Sequence, residues 1–228
     1  MVTLSADERQ RIALAVAEAE TKTSGEVCCV LTEEASHYRE VPLAWAAIAA
    51  LVLPPVALAF GLRPQSWGDA LSGWASGQTV LVGNAVILAL ASYAFVQTFL
   101  FAVVALVGSV PAVRRAITPA FVKRHRVRNS ARHHFATLVA RLAAGPYVMI
   151  YVSRFDRMVE IVVSDSVGKA CDAMAWHNAA SALSVGLAQE RAGEGFVKAI
   201  GLCGAELAKH FPPGGGKENR LPDSVIDG

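Results

Sequence analysis

The sequence predicts an α/β domain interrupted by a two-helix transmembrane hairpin, and three observations carry that prediction. The chain holds no charged residue from Ala70 to Val113, and another uncharged run extends from Val41 to Leu62. A bilayer core about 30 Å thick takes roughly 20 apolar residues to cross as a helix, so these runs predict spans at about 42–62 and 79–106. Outside them, β-rich runs alternate with segments of helical periodicity.

In chain order, Ser5-Ala6-Asp7-Glu8 has the form of a capping box, predicting a helix over about 6–21. Ile12, Val16 and Ala19 give that helix one apolar stripe. Thr23-Ser24-Gly25 ends it, and Glu26 to Leu31 reads as a core strand. Pro54-Pro55 falls inside the first span, where two missing backbone donors predict a kink or early end. Neither span contains Asp, Glu, Lys, Arg or His, which disfavours a proton relay or ion pathway. Gln78, Asn84 and Gln97 offer interhelical hydrogen bonds, and Gly83 a close approach. After the spans, about 122–143 predicts a helix with Phe135, Leu138, Val139 and Leu142 on one face. Tyr147 to Val152 and Met158 to Val163 predict an antiparallel hairpin around Ser153 to Arg157. Ser164-Asp165-Ser166 offers caps for a helical region reaching about Gln189, and a last helix follows over about 195–210. The run from Phe211 to Gly216 stops it, predicting a disordered tail over 213–228.

Charge distribution orients the hairpin. Arg114, Arg115, Lys123, Arg124, Arg126, Arg128 and Arg132 follow the second span, with no Asp or Glu between Asp69 and Asp156. The loop between the spans offers Arg63 alone, with Trp67 and Trp74 suited to the interface. The positive-inside rule then places both termini in the cytoplasm and the protein in the plasma (inner) membrane as a multi-pass chain. Residues 1–25 lack the basic start, apolar core and cleavage site of a secretory signal, so the hairpin is expected to act as its own insertion signal. Cys28, Cys29, Cys171 and Cys203 show no metal-like spacing to a histidine and read as reduced, buried thiols. The basic segment reads as topogenic and lipid-facing. Nucleic acid is not an expected partner, since only Phe121 and Phe135 accompany those cations.

Leu4 to Glu8, Thr23 to Val27, the hairpin Val148 to Asp165 with Asp156-Arg157 at its turn, and Gly195-Phe196 before Leu207 to Pro212 together resemble the TPM domain family. The resemblance covers about 3–37 and 125–212 and implies a small mixed-sheet α/β sandwich with helices, here interrupted by the membrane hairpin after its first strand. It divides the chain into a first part of the soluble domain at 1–38, the hairpin at 39–113, a basic flank with the second part at 114–212, and the tail. Some family members are associated with divalent metal binding or weak phosphatase activity. On that analogy Asp156, Asp165 and Asp172 are the candidate ligands of a Ca2+ or Mg2+ ion.

The residues themselves allow plainer roles. Asp156 and Arg157 either bind a ligand or solvate the turn and pair with each other, while Asp165 stands where a helix cap is expected. The sequence carries no G-x-S-x-G, P-loop, G-x-G-x-x-G or H-E-x-x-H pattern, and Gly214 to Gly216 before Lys217 follows a helix rather than opening one. The expected function is a cytoplasmic binding or assembly module that takes no cofactor. Its expected partners are the lipid bilayer and a membrane protein, in the maintenance of membrane protein complexes. The alternative is a metal-dependent phosphatase of low activity.

Overall fold

The computed structural model describes residues 4–33, 38, 40–61, 82–140, 142–214 and 219–227. It divides into two compact units, Met1–His37 with Ala120–Gly228, and Tyr38–Pro119.

The first unit is a mixed α/β sandwich. Helix α1 (Ala6–Thr21) starts at the expected capping box: Ser5 Oγ accepts the Glu8 N–H at 3.2 Å, and the Glu8 carboxylate accepts the Ser5 N–H at 2.8 Å. Strand β1 (Glu26–Thr32) lies parallel to β2 (Tyr147–Ser153), in register from Glu26 opposite Tyr147 to Thr32 opposite Ser153. Strand β3 (Met158–Val163) returns antiparallel to β2 through a turn in which Arg157 takes a left-handed conformation, φ 51°. Loop closure grows in cost only slowly with length, so the long insertion between β1 and β2 is compatible with their pairing.

Both central strands are buried on both faces, and alternation along them builds two cores. Val27, Cys29, Leu31, Val148, Ile150 and Val152 face α1 together with α7 (Ala173–Ala188) and α8 (Ala192–His210). Cys28, Val30, Met149 and Tyr151 face Val127 and Ala131 of α5 (Ala120–Val139). The expected apolar stripe of α5, including Phe135 and Leu138, packs against this second core.

Four expectations need correction. The helix expected at 122–143 starts at Ala120 and ends at Val139. It is preceded by a separate helix α4 (Pro111–Ile117), because Thr118, before Pro119, is extended as a pre-proline residue prefers. The helical region expected to run to Gln189 is two helices, α6 (Asp165–Ala170) and α7, parted by extended Cys171 and by Asp172 as the α7 N-cap. The last helix begins at Ala192 rather than 195. The tail is ordered over its described part, 219–227. There β4 (Ile226–Asp227) pairs parallel with β1, giving the sheet order β3-β2-β1-β4, while Leu221 and Val225 are buried. Three apolar side chains in a polar segment are enough to anchor it. Residues 215–218 and 228 lie outside the described residues.

The second unit holds α2 (Glu40–Ala59), α3 (Val82–Ser109) and α4. Helices α2 and Leu90–Ser109 of α3 are each 20 residues long and apolar enough to cross a membrane. They pack together as a hairpin: a Cβ on Gly108 of α3 would stand 2.9 Å from Pro42 Cβ of α2. Leu51 is 63% and Ile87 66% exposed, so apolar surface is presented outward rather than into a protein core. Pro54 and Pro55 lie within α2, which continues to Ala59. Trp45 Nε1 donates to Ile117 O at 3.2 Å. Arg63, Trp67, Trp74 and Gln78, on which part of the orientation and packing expectations rests, lie outside the described residues, as do the surroundings of Gly83 and the side chains of Asn84 and Arg115.

Candidate docking cleft beside the outer strand

Among the described residues strand β3 is an outer strand of the sheet, hydrogen-bonded to β2 on one side. Helix α5 packs near it from one face of the sheet and α7 from the other. Between them run two adjoining clefts of about 630 and 490 Å³, which share Arg128, Val159, Glu160 and Ser184. Each of the six β3 residues is half-buried, as befits a strand whose partner side is covered and whose outer side borders a cleft.

Helix α5 supplies the charge. Arg124 and Arg128 are one turn apart and therefore share a face, and both line the first cleft with Arg157 from the β2–β3 turn. Arg128 Nε donates to Glu160 Oε1 at 3.0 Å, which leaves the fixed charges of the lining residues, Arg124, Arg128, Arg157 and Glu160, positive on balance. The second cleft adds Trp176 and His177 of α7. An outer strand beside cations and an aromatic ring has what extended-peptide recognition uses: main-chain hydrogen bonds for affinity and flanking side chains for selection.

The basic segment that follows the second span divides between the two units. Arg114 and Arg115 belong to α4 in the second unit, whereas Lys123, Arg124, Arg126 and Arg128 belong to α5 in the first. Reading the segment as one topogenic cluster overlooks the cleft. The four-residue spacing of Arg124 and Arg128 is the signal in the sequence that could have found it.

The three aspartates are not gathered into one site. Asp156 lies in the turn before β3 and accepts a hydrogen bond from Ser153 Oγ at 2.8 Å. Asp165 opens α6 beyond the other end of β3. Six residues of strand at about 3.3 Å each set them roughly 20 Å apart along the strand, too far to share an ion. Asp172 caps α7 by accepting the Met174 N–H at 2.9 Å. Asp156 serves in a turn and Asp172 as a cap, while Asp165 puts a negative charge in the first turn of α6, after its N-cap Ser164.

The four cysteines are free thiols, and burial pushes Cys28 and Cys203 up to about 12. A different set of metal-competent groups does converge: Cys171, Glu206 and His210 bring one donor atom each to within 4.8 Å of one another. Cys171 and His210 are far apart in sequence, so no local motif announces them.

No family model and no curated protein matches the chain. Among solved structures it is similar to the NMR structure of the BA42 protein from the psychrophilic bacterium Bizionia argentinensis, with a TM-score of 0.54 and 16% identity over 99% of this chain and 95% of that one. At that identity the likeness establishes a shared fold and nothing more specific.

Proposed function

We propose that this protein is a membrane-anchored docking module. In this reading α2 and α3 cross the inner membrane as a hairpin, both termini lie in the cytoplasm, and the cleft beside β3 receives an extended acidic segment of a membrane-protein partner. The length and apolar surface of the two helices support the anchor. The excess of Lys and Arg after the second span supports the orientation, and anionic headgroups would attract such residues at about 1 kcal/mol each near the surface.

The observation that carries the docking reading is that an outer strand borders a cleft whose fixed charge is positive. A strand added along β3 would satisfy main-chain groups, while Arg124, Arg128 and Arg157 select acidic side chains and speed encounter. The test uses detergent-solubilised full-length protein and a labelled extended peptide of alternating Glu and Val. Binding with new amide-exchange protection on β3, weakened about tenfold or more by Arg124→Glu with Arg128→Glu, is the expected result. Equal affinity for the matching Lys and Val peptide, or binding without protection of β3, would refute the reading.

A further inference from the structure

Glu206 and His210 stand one turn apart at the C-terminal end of α8, so their side chains leave the same helix face. Cys171, in the extended link between α6 and α7, meets that face. His210 Nε2 is 3.4 Å from Glu206 Oε1, and the three donor atoms all lie within 4.8 Å of one another. Glu206 is held in place: its carboxylate is buried, Oε1 accepts the Asp172 N–H at 3.3 Å, and Lys209 Nζ binds Oε2 at 2.7 Å.

We propose that Cys171 Sγ, Glu206 Oε1 and His210 Nε2 form a binding site for a divalent transition metal of zinc type, with the fourth position open to water. The donor set decides the class of ion. Thiolate, imidazole and carboxylate together match Zn2+, whereas Ca2+ and Mg2+ take oxygen ligands. Donor atoms around a tetrahedral zinc are about 3.3 to 3.8 Å apart, so the site closes by roughly 1 Å through rotation of the Cys171 and His210 side chains. His210 is partly exposed and has room for that movement. Placement at a helix C-terminus favours a cation, because the last carbonyls of α8 carry partial negative charge.

Binding has a balanced proton cost. The Cys171 thiol gives up its proton to solvent as the sulfur–metal bond forms, and the metal retains its oxidation state. Burial and the Glu206 carboxylate raise the thiol's pKa while the nearby Lys209 ammonium lowers it, and a bound dication would act in the same direction as Lys209. Lys209 Nζ holds the other carboxylate oxygen, Oε2, so the carboxylate binds through Oε1 alone. The ion would clip the α6–α7 link to the end of α8, joining two places that nothing in the sequence connects.

Co2+ is the probe, added to tag-free, detergent-solubilised full-length protein. The expected result is a thiolate-to-cobalt charge-transfer band with the visible spectrum of a tetrahedral site, removed by added Zn2+ and untouched by Mg2+ or Ca2+. Cys171→Ser should abolish the band, and His210→Gln should weaken Co2+ binding by about tenfold or more. A second readout needs no variant: Zn2+ should protect Cys171 from alkylation, followed by mass spectrometry of the native protein. Absence of the band, its persistence in Cys171→Ser, or alkylation of Cys171 at the same rate with Zn2+ present would each overturn the proposal.

Discussion

Arg9 and Asp227, 218 positions apart, meet in a two-bond ion pair, with Nη1 to Oδ2 at 3.0 Å and Nη2 to Oδ1 at 2.9 Å. The pair ties the first helix to the last strand. At the opposite end of β1, the Arg220 N–H donates to Glu26 Oε2 at 3.3 Å, tying the returning chain to the start of that strand.

Asp227→Ala is expected to cost under about 1 kcal/mol, since both partners are more than a third exposed and solvent screens them. Deleting 219–228 is expected to cost several times more, because burying Leu221 and Val225 stabilises by roughly 1.5–3 kcal/mol each. Denaturant melts of the solubilised chain compare the two. Equal losses would mean that β4 is held by the ion pair alone.

Acid should reveal the same pair. The Arg9 guanidinium holds the Asp227 carboxyl below its ordinary value, so its contribution is fully present above the unfolded carboxyl pKa of about 3.9 and disappears as pH falls through the folded value. Asp227→Asn should therefore lower stability at neutral pH and converge with the parent chain in acid. A constant difference across that range would contradict the assignment.

Two glycines of the helical layer should respond oppositely to alanine. A Cβ on Gly186 of α7 would stand 2.7 Å from the Gly195 Cα of α8, backbone that a rotamer change cannot move. Gly186→Ala should destabilise by about 1–3 kcal/mol. At Gly201, inside α8, an added Cβ meets nothing within 4 Å, and Gly201→Ala should stabilise by about 0.5–1 kcal/mol. Thermal melts decide between them, and a loss at Gly201 would show that its face is occupied.

Alanine at Asp156, Asp165 or Asp172 should remove no phosphomonoester turnover, with or without added divalent metal. Asp172→Ala should cost about 1 kcal/mol through the lost α7 cap. A metal-dependent rate abolished by one of these substitutions at unchanged melting temperature would favour the phosphatase alternative.

Local signals in the sequence are reliable wherever local physics decides the structure. The Ser5 and Glu8 cap, the stripe of Ile12, Val16 and Ala19, and the β2–β3 turn each depend on residues within a few positions. The shared sheet of β1, β2 and β3 is also legible, since three β-rich runs must bury their faces somewhere. What is not legible depends on partners distant in sequence. β4 is two residues long, with Ile226 opposite Val30 and Asp227 opposite Leu31, and composition alone marks its surroundings as tail. Arg128 reads as a flank charge until Glu160 appears beside it, and Cys171 reads as a plain thiol until the end of α8 folds against it.

One soluble domain split by a membrane hairpin is the central claim, and reporter fusions at residue 1, near Ser72 and after Gly228, made in the full-length chain, test it directly. Both termini should report the cytoplasm and the Ser72 position the opposite side. A cytoplasmic report from Ser72 would contradict the hairpin and remove the anchor from the proposed function.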